Sequence, residues 1–194
     1  MQQTFPGLLV AHAAQRPDAP AMREKAYGIW QTLSWSDLAA MVADLAGALH
    51  EAGLRRGEHV VVIGSNRPRL YATMLAAQSL GVTPVPLYQD AAGAECVFPI
   101  NNADIRFAIV EDQEQVDKML EIRAQCPQIS NIYFDNPRGM RNYEETGLSS
   151  LDDLLAAGKA FSQKNPSFFA DEVAKVTSSD VAAMFFTSGT TGNP

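Results

Sequence analysis

The chain has 194 residues, 22 acidic against 15 basic, for a formal net charge of −7; 46% are hydrophobic and 19% charged. This composition fits a soluble globular chain and excludes disorder as the main state. It also excludes a disulfide scaffold, because Cys96 and Cys126 form neither a C-x-x-C pair nor a metal-ligand spacing. The acidic balance argues against general binding to nucleic acid or to anionic membranes. The sequence contains no apolar run of the roughly 18–20 residues that a membrane span needs. Met1–Pro6 lacks the basic segment and apolar stretch of a secretory signal, so a cytoplasmic chain is expected, at most peripheral at a membrane.

Residues 1–33 give no clear pattern beyond a proline-rich loop at Arg16–Pro20. The first helix is expected after Ser34, with Asp37 three positions on as its capping-box partner. Leu38, Met41, Val42, Leu45, Leu49 and Ala52 form its apolar stripe, and Gly53 follows as a C-terminal cap. Val60–Ile63 is an uninterrupted β-branched run, as in a parallel strand buried on both faces. Gly64–Pro68 turns the chain into a helix of about three turns ending near Gly81. Val82–Leu87 reads as extended, with Pro84 and Pro86 placing it at a sheet edge or exit.

Phe107–Val110 is the next predicted strand. Asp112 caps a helix with Gln115 three residues on, and Val116, Met119 and Leu120 form its inner face. Ile129–Phe134 returns as a strand, and 135–150 reads as loop around Asn136–Gly139. Short helices are expected at Leu151–Ala157 and Phe168–Val176, and Val181–Phe186 as a last strand. Strands alternating with helices predict an α/β fold with a mainly parallel sheet and flanking helices.

After that run comes Thr187-Ser188-Gly189-Thr190-Thr191-Gly192-Asn193-Pro194. The glycines let several backbone N–H groups face one anion. The hydroxyls of Thr187, Ser188, Thr190 and Thr191 can donate further bonds to phosphate oxygens. The segment is neither a Walker A loop nor G-x-G-x-x-G. A flexible Ser/Thr/Gly turn is the plainer alternative, but the residue order is specific. At average residue usage S-G-[ST]-T-G-x-P arises by chance roughly once in several million positions.

Phe186–Pro194 resembles the signature loop of the adenylate-forming superfamily, which includes acyl-CoA synthetases, luciferases and adenylation domains. Gln31–Leu38 is similar to that superfamily's early helix entry. Ser65–Pro68, Pro84–Asp90, Val110–Lys118 and Asp135–Arg141 resemble, more narrowly, bacterial long-chain fatty acyl-CoA synthetases. The resemblance implies that a fatty acid is joined to AMP with release of pyrophosphate, and that coenzyme A thiol then displaces AMP. ATP and magnesium are the implied partners, with Thr187, Ser188, Gly189, Thr190, Thr191 and Gly192 holding the phosphates.

The superfamily loop usually continues with Lys-Gly. That lysine, the nucleotide-pocket residues, the acidic magnesium ligand and the catalytic lysine domain lie downstream in the family. The expectation is that residues 1–194 form the first half of the large AMP-binding domain. They are then inactive alone, hold no catalytic or metal residue, and are prone to self-association through an uncovered face. Aryl-CoA ligation and carrier-protein adenylation remain open within the superfamily. So do a non-catalytic half-domain that binds a partner and a free-standing flavodoxin-like nucleotide module.

Other residues have bland readings. His12, His50 and His59 read as packing or surface groups, and Cys96 and Cys126 as inert thiols. Glu111-Asp112, Glu144-Glu145 and Asp152-Asp153 read as helix starts or solvated loops. Asn66 reads as a helix cap or, less simply, a ligand contact past a strand end. Tyr88 and Trp35 read as packing rather than acyl-site lining. Arg55-Arg56 and Arg67-x-Arg69 read as solvated surface, with a coenzyme A or membrane contact as the alternative.

Overall fold

The β-branched run around Val60 becomes the strand β3 (His59–Ile63), and it organises the molecule. The computed structural model describes residues 4–187. Five parallel strands pair in the order β4 (Thr83–Leu87), β3, β5 (Phe107–Val110), β6 (Asn131–Phe134) and β7 (Leu148–Ser150). Successive side chains point to opposite faces, so each strand feeds two cores. Val60, Val62, Phe107 and Ile109 pack with the helices α2 (Trp35–Glu51), α3 (Pro68–Ser79) and α6 (Leu151–Lys164). Val61, Ile63, Ala108 and Val110 pack with α4 (Gly93–Asn102) and α5 (Gln113–Glu121). This is the expected α/β architecture, with β3 and β5 buried on both faces.

The capping expectations hold. Ser34 and Asp37 form a reciprocal capping box on α2, and Gly53 ends that helix at φ +102°. Leu38, Val42, Leu45 and Leu49 are buried, whereas Ala52 is exposed. Asp112 caps α5 through the N–H of Gln115.

Several elements differ from expectation. The unread N-terminal region holds α1 (Phe5–Gln15), capped by Thr4, and an antiparallel hairpin of β1 (Pro20–Ala26) and β2 (Ile29–Ser34). The loop 135–150 contains a 3-10 turn at Met140–Asn142 and the short β7. Helix α6 runs seven residues past Ala157, to Lys164. It passes through Gly158 because a side chain there would strike the Asp44 carbonyl of α2. That glycine lets two helices touch rather than ending one. The remaining helix is α7 (Phe168–Lys175).

Val181–Phe186 is not a strand; it lies extended beside the outer edge of β4 with one backbone bond, Met184 N–H to the Pro84 carbonyl at 3.0 Å. The cause lies in β4. Thr83, Val85 and Leu87 turn their backbone groups toward β3, leaving those of Pro84 and Pro86 outward. A parallel ladder would need N–H donors at both positions, and proline has none.

Candidate functional site

Residues 181–187 carry the chain parallel to β4 toward its carboxyl end, where α/β sheets bind ligands. Side chains hold this segment. The amide nitrogen of Gln78 donates to the Ala182 carbonyl at 2.6 Å, the acceptor that Pro84 cannot reach as a donor. Phe186 turns toward α4 and meets Phe98 edge-on, with centroids 6.1 Å apart. Phe185 turns to the opposite side, beside Leu70 and Met74. Thr187 is exposed at the mouth of a cleft of about 440 Å³ walled by Leu87, Tyr88, Cys96, Pro99 and Phe186. Ser188, Gly189, Thr190, Thr191 and Gly192 lie outside the described residues.

The sheet order places its switch point between the carboxyl ends of β3 and β5, since the chain goes one way to β4 and the other way to β5. A bound anion would be expected in this crevice. Here the chain supplies its own. A Glu111 carboxylate oxygen accepts from the Ser65 N–H at 2.5 Å and from its hydroxyl at 2.7 Å. The other oxygen accepts from Arg67 Nε at 3.2 Å. Gly64 gives the room, because a Cβ there would lie 2.7 Å from the Cβ of Glu111. Burial would raise the Glu111 pKa, but the bonds from Ser65 and Arg67 outweigh it and hold the carboxyl below its ordinary value.

A second pair lies one strand further on. Arg69 Nε sits 2.9 Å from Asp135, and the same guanidinium reaches Asp152 at 2.7 Å. Burial pushes the Asp135 carboxyl up, against the pull of Arg69. Arg67 also ties this edge to the hairpin through Glu24 at 3.5 Å.

The arginines Arg67 and Arg69 are therefore ion-paired, not simply solvated. Glu111 is a tie across the crevice rather than a loop acid. Asn66 is neither cap nor free group: Arg67 occupies the cap position, and the Asn66 side-chain Oδ1 accepts from the Tyr71 hydroxyl at 2.8 Å. Tyr88 is exposed rather than packed. Arg56 pairs with Glu172 and Asp180, and Arg55 donates to the His50 and Leu54 carbonyls.

Other bland readings hold. Trp35 packs on His12 at 4.6 Å between ring centroids, and His50 packs on Phe168 at 4.8 Å. Cys96 and Cys126 are free and buried, and burial pushes both thiols up. The roles of Glu111 and Asp135 escaped sequence reasoning. The available signal was an acid directly after each of two parallel strands, Val110 and Phe134.

Among the described residues no group of three or more His, Cys, Asp or Glu is placed to hold a metal ion. Nor is any of their helices long and apolar enough to cross a membrane.

The family model for AMP-binding enzymes matches residues 9–194. The long-chain-fatty-acid–CoA ligase FadD15 of Mycobacterium bovis is 21% identical over 187 residues, covering 96% of this chain and 29% of that protein. The long-chain-fatty-acid–CoA ligase ACSBG2 of Rattus norvegicus is 28% identical over 193 residues, covering 98% and 28%. The chain thus spans less than a third of the length of these relatives. The crystal structure of the anthranilate CoA ligase AuaEII with anthranoyl-AMP superposes with a TM-score of 0.80 at 19% identity, covering all of this chain and 34% of that one. That likeness extends the same fold over the whole chain. By the match over 9–194, the chain belongs to the AMP-binding enzyme family.

Proposed function

We propose that the chain is the first part of the large domain of an AMP-forming acyl-CoA synthetase acting on long-chain fatty acids. The observation that carries this reading is the sequence Thr187–Gly192 directly after a segment that runs to the carboxyl end of β4. The ligase relatives support the fatty acid class. In this reading fatty acid, ATP and coenzyme A give acyl-CoA, AMP and pyrophosphate through an acyl-adenylate.

The donor chemistry of 187–192 fits a polyphosphate. Thr187, Ser188, Thr190 and Thr191 offer hydroxyls, and Gly189 and Gly192 allow close backbone approach. Such donors favour the transition state because the leaving pyrophosphate gains negative charge. The switch-point crevice does not compete for that phosphate, since Glu111 already uses the Ser65 donors. This weighs against a free-standing flavodoxin-like module. In this reading magnesium and coenzyme A belong to the reaction.

A second reading is ligation of an aromatic acid, favoured by the AuaEII likeness. Acid-dependent pyrophosphate release separates the two, run with long-chain fatty acids and with aryl acids on the longest product of the gene. Preference for fatty acids supports the first reading; preference for aryl acids replaces it. The 194 residues alone are expected to release no pyrophosphate and to self-associate, since Val181 and Phe185 stand exposed beside β4. Light scattering showing only monomer refutes the self-association.

A further inference from the structure

The β1–β2 hairpin stands apart from the five-stranded sheet as a two-stranded ribbon. Its register pairs Arg23 with Thr32 and Lys25 with Trp30. Directly paired residues share a face, so Arg23, Lys25, Trp30 and Thr32 form one side of the ribbon. All four are exposed. The other side carries Met22, which packs on the core, and Glu24, which pairs with Arg67. The cationic and aromatic face therefore points away from the body.

The turn adds to this. Tyr27 and Gly28 have φ of +51° and +82°, the two left-handed positions of a type I′ turn. Asn or Gly suits the first position; a tyrosine there carries strain. The fold gains no core packing in return, because Tyr27 is 89% exposed. Its ring instead lies over the Arg138 guanidinium, 5.3 Å from the ring centroid, and its hydroxyl meets the same group. Trp30 is 58% exposed on the face of Arg23 and Lys25, whereas Ile29, paired with Ala26, belongs to the opposite side. Arg23 lies 5.3 Å from the Trp30 ring. Among the described residues no ion pair holds Arg23 or Lys25, although Arg56, Arg67, Arg69 and Arg106 all have carboxylate partners.

We infer that this hairpin face is a docking surface for an anionic phospholipid bilayer. Tyr and Trp rings sit well at headgroup depth, with their apolar bodies down and polar edges in water. The unpaired cations meet lipid phosphates at short range. The chain's net charge of −7 opposes an anionic surface as a whole. Screening limits that repulsion to about a Debye length of 8–10 Å, so the hairpin can touch while the acidic body stays back. Charge thus selects the orientation. A single-stranded RNA needs several phosphates neutralised along its length, and two free cations on one ribbon supply few. The contact is small, so binding is weak and reversible.

The inference does not depend on the acid that the enzyme activates, and its test is separate from any ligase assay. The 194-residue chain is floated with vesicles of phosphatidylcholine alone and of phosphatidylcholine mixed with phosphatidylglycerol, at low salt. It is expected to float with the mixed vesicles, with a blue shift in tryptophan emission. Arg23→Gln and Lys25→Gln should each lower partitioning about fivefold. Trp30→Thr should lower it about tenfold, and threonine keeps the strand. Tyr27→Asn should also weaken binding while relaxing the turn, so loss of fold cannot explain it; far-UV circular dichroism checks this. Three results overturn the inference: no flotation with anionic vesicles, equal flotation of parent and variants, or stronger binding to a single-stranded oligoribonucleotide than to vesicles.

Discussion

At the switch point, Glu111 gathers two bonds from Ser65 and one from Arg67, binding the ends of β3 and β5 to each other. Beyond β4, the segment that leads to Thr187 has a single backbone bond and is held by Gln78 and Phe98 instead. Both regions lie along the same five-stranded sheet. One is fixed by buried strands and charge-assisted bonds, the other by side chains along an edge that prolines have stripped of donors. The difference indicates where the fold is rigid and where the segment 181–187 can adjust.

The largest test of this contrast is Phe107→Ala in β5. Phe107 is 1% exposed and packs in the core on the α2 side of the sheet. Truncation is expected to cost about 4 kcal/mol in urea unfolding. A loss no greater than that of an edge variant would abolish the distinction between the two regions.

Glu111→Gln should cost about 2 kcal/mol at neutral pH, because it weakens charge-assisted bonds and offers a donor where Ser65 also donates. The pH profile sharpens this. Glu111 is held below the ordinary glutamate value of 4.5, so it binds fewer protons folded than unfolded. Its contribution is full above that value and is lost as pH falls through it toward the folded pKa. Asp135 has the opposite sign. Its pKa is raised above 3.8 by burial, so its contribution is present at low pH and lost as pH rises through the folded value. Glu111→Gln should therefore flatten the acid-side fall in stability, and Asp135→Asn should steepen it. Unchanged profiles in both variants would contradict the geometry of the crevice.

Phe186→Ala removes the edge-on contact with Phe98 and part of the packing against α4, for about 1.5 kcal/mol. Phe185→Ala, at 69% exposure, should change stability by no more than about 0.5 kcal/mol. Equal costs would mean that the segment does not alternate between the two sides of β4.

The two regions also differ in how far the sequence exposes them. The buried strands β3 and β5 are legible as β-branched runs, and α2 and α5 as capped, periodic helices. The hairpin is not, because Tyr27-Gly28 stands where Asn-Gly would signal a turn, and its outer face is charged. Helix α4 is hidden by Pro99 in its interior, and its first residue is Gly93. The reach of α6 is hidden because Gly158 reads as a stop until α2 is seen against it. The crevice was invisible because Ser65 and Glu111, 46 residues apart, meet only through the crossover. The motif at 187–192 is the reverse case: its residue order is plain in the sequence, whereas the lack of a ladder leading into it depends on what β4 offers.

That last point gives the smallest and most local prediction. With Met184 N–H on the Pro84 carbonyl, the companion bond of a parallel ladder would run from the N–H of residue 86 to the Met184 carbonyl. Pro86→Ala supplies that donor at a half-buried position. The added bond is worth about 1 kcal/mol. Losing proline frees the unfolded chain by about 0.4–1 kcal/mol in the opposite sense. Global stability should thus move by no more than about 0.6 kcal/mol, the difference between those two effects. Exchange at the Met184 amide should nevertheless slow about fivefold, because local opening now breaks a second backbone bond. If exchange there is unchanged while the Pro86→Ala chain still folds, proline is not what keeps this segment out of the sheet, and the loose edge must be ascribed to the sequence of 181–187 itself.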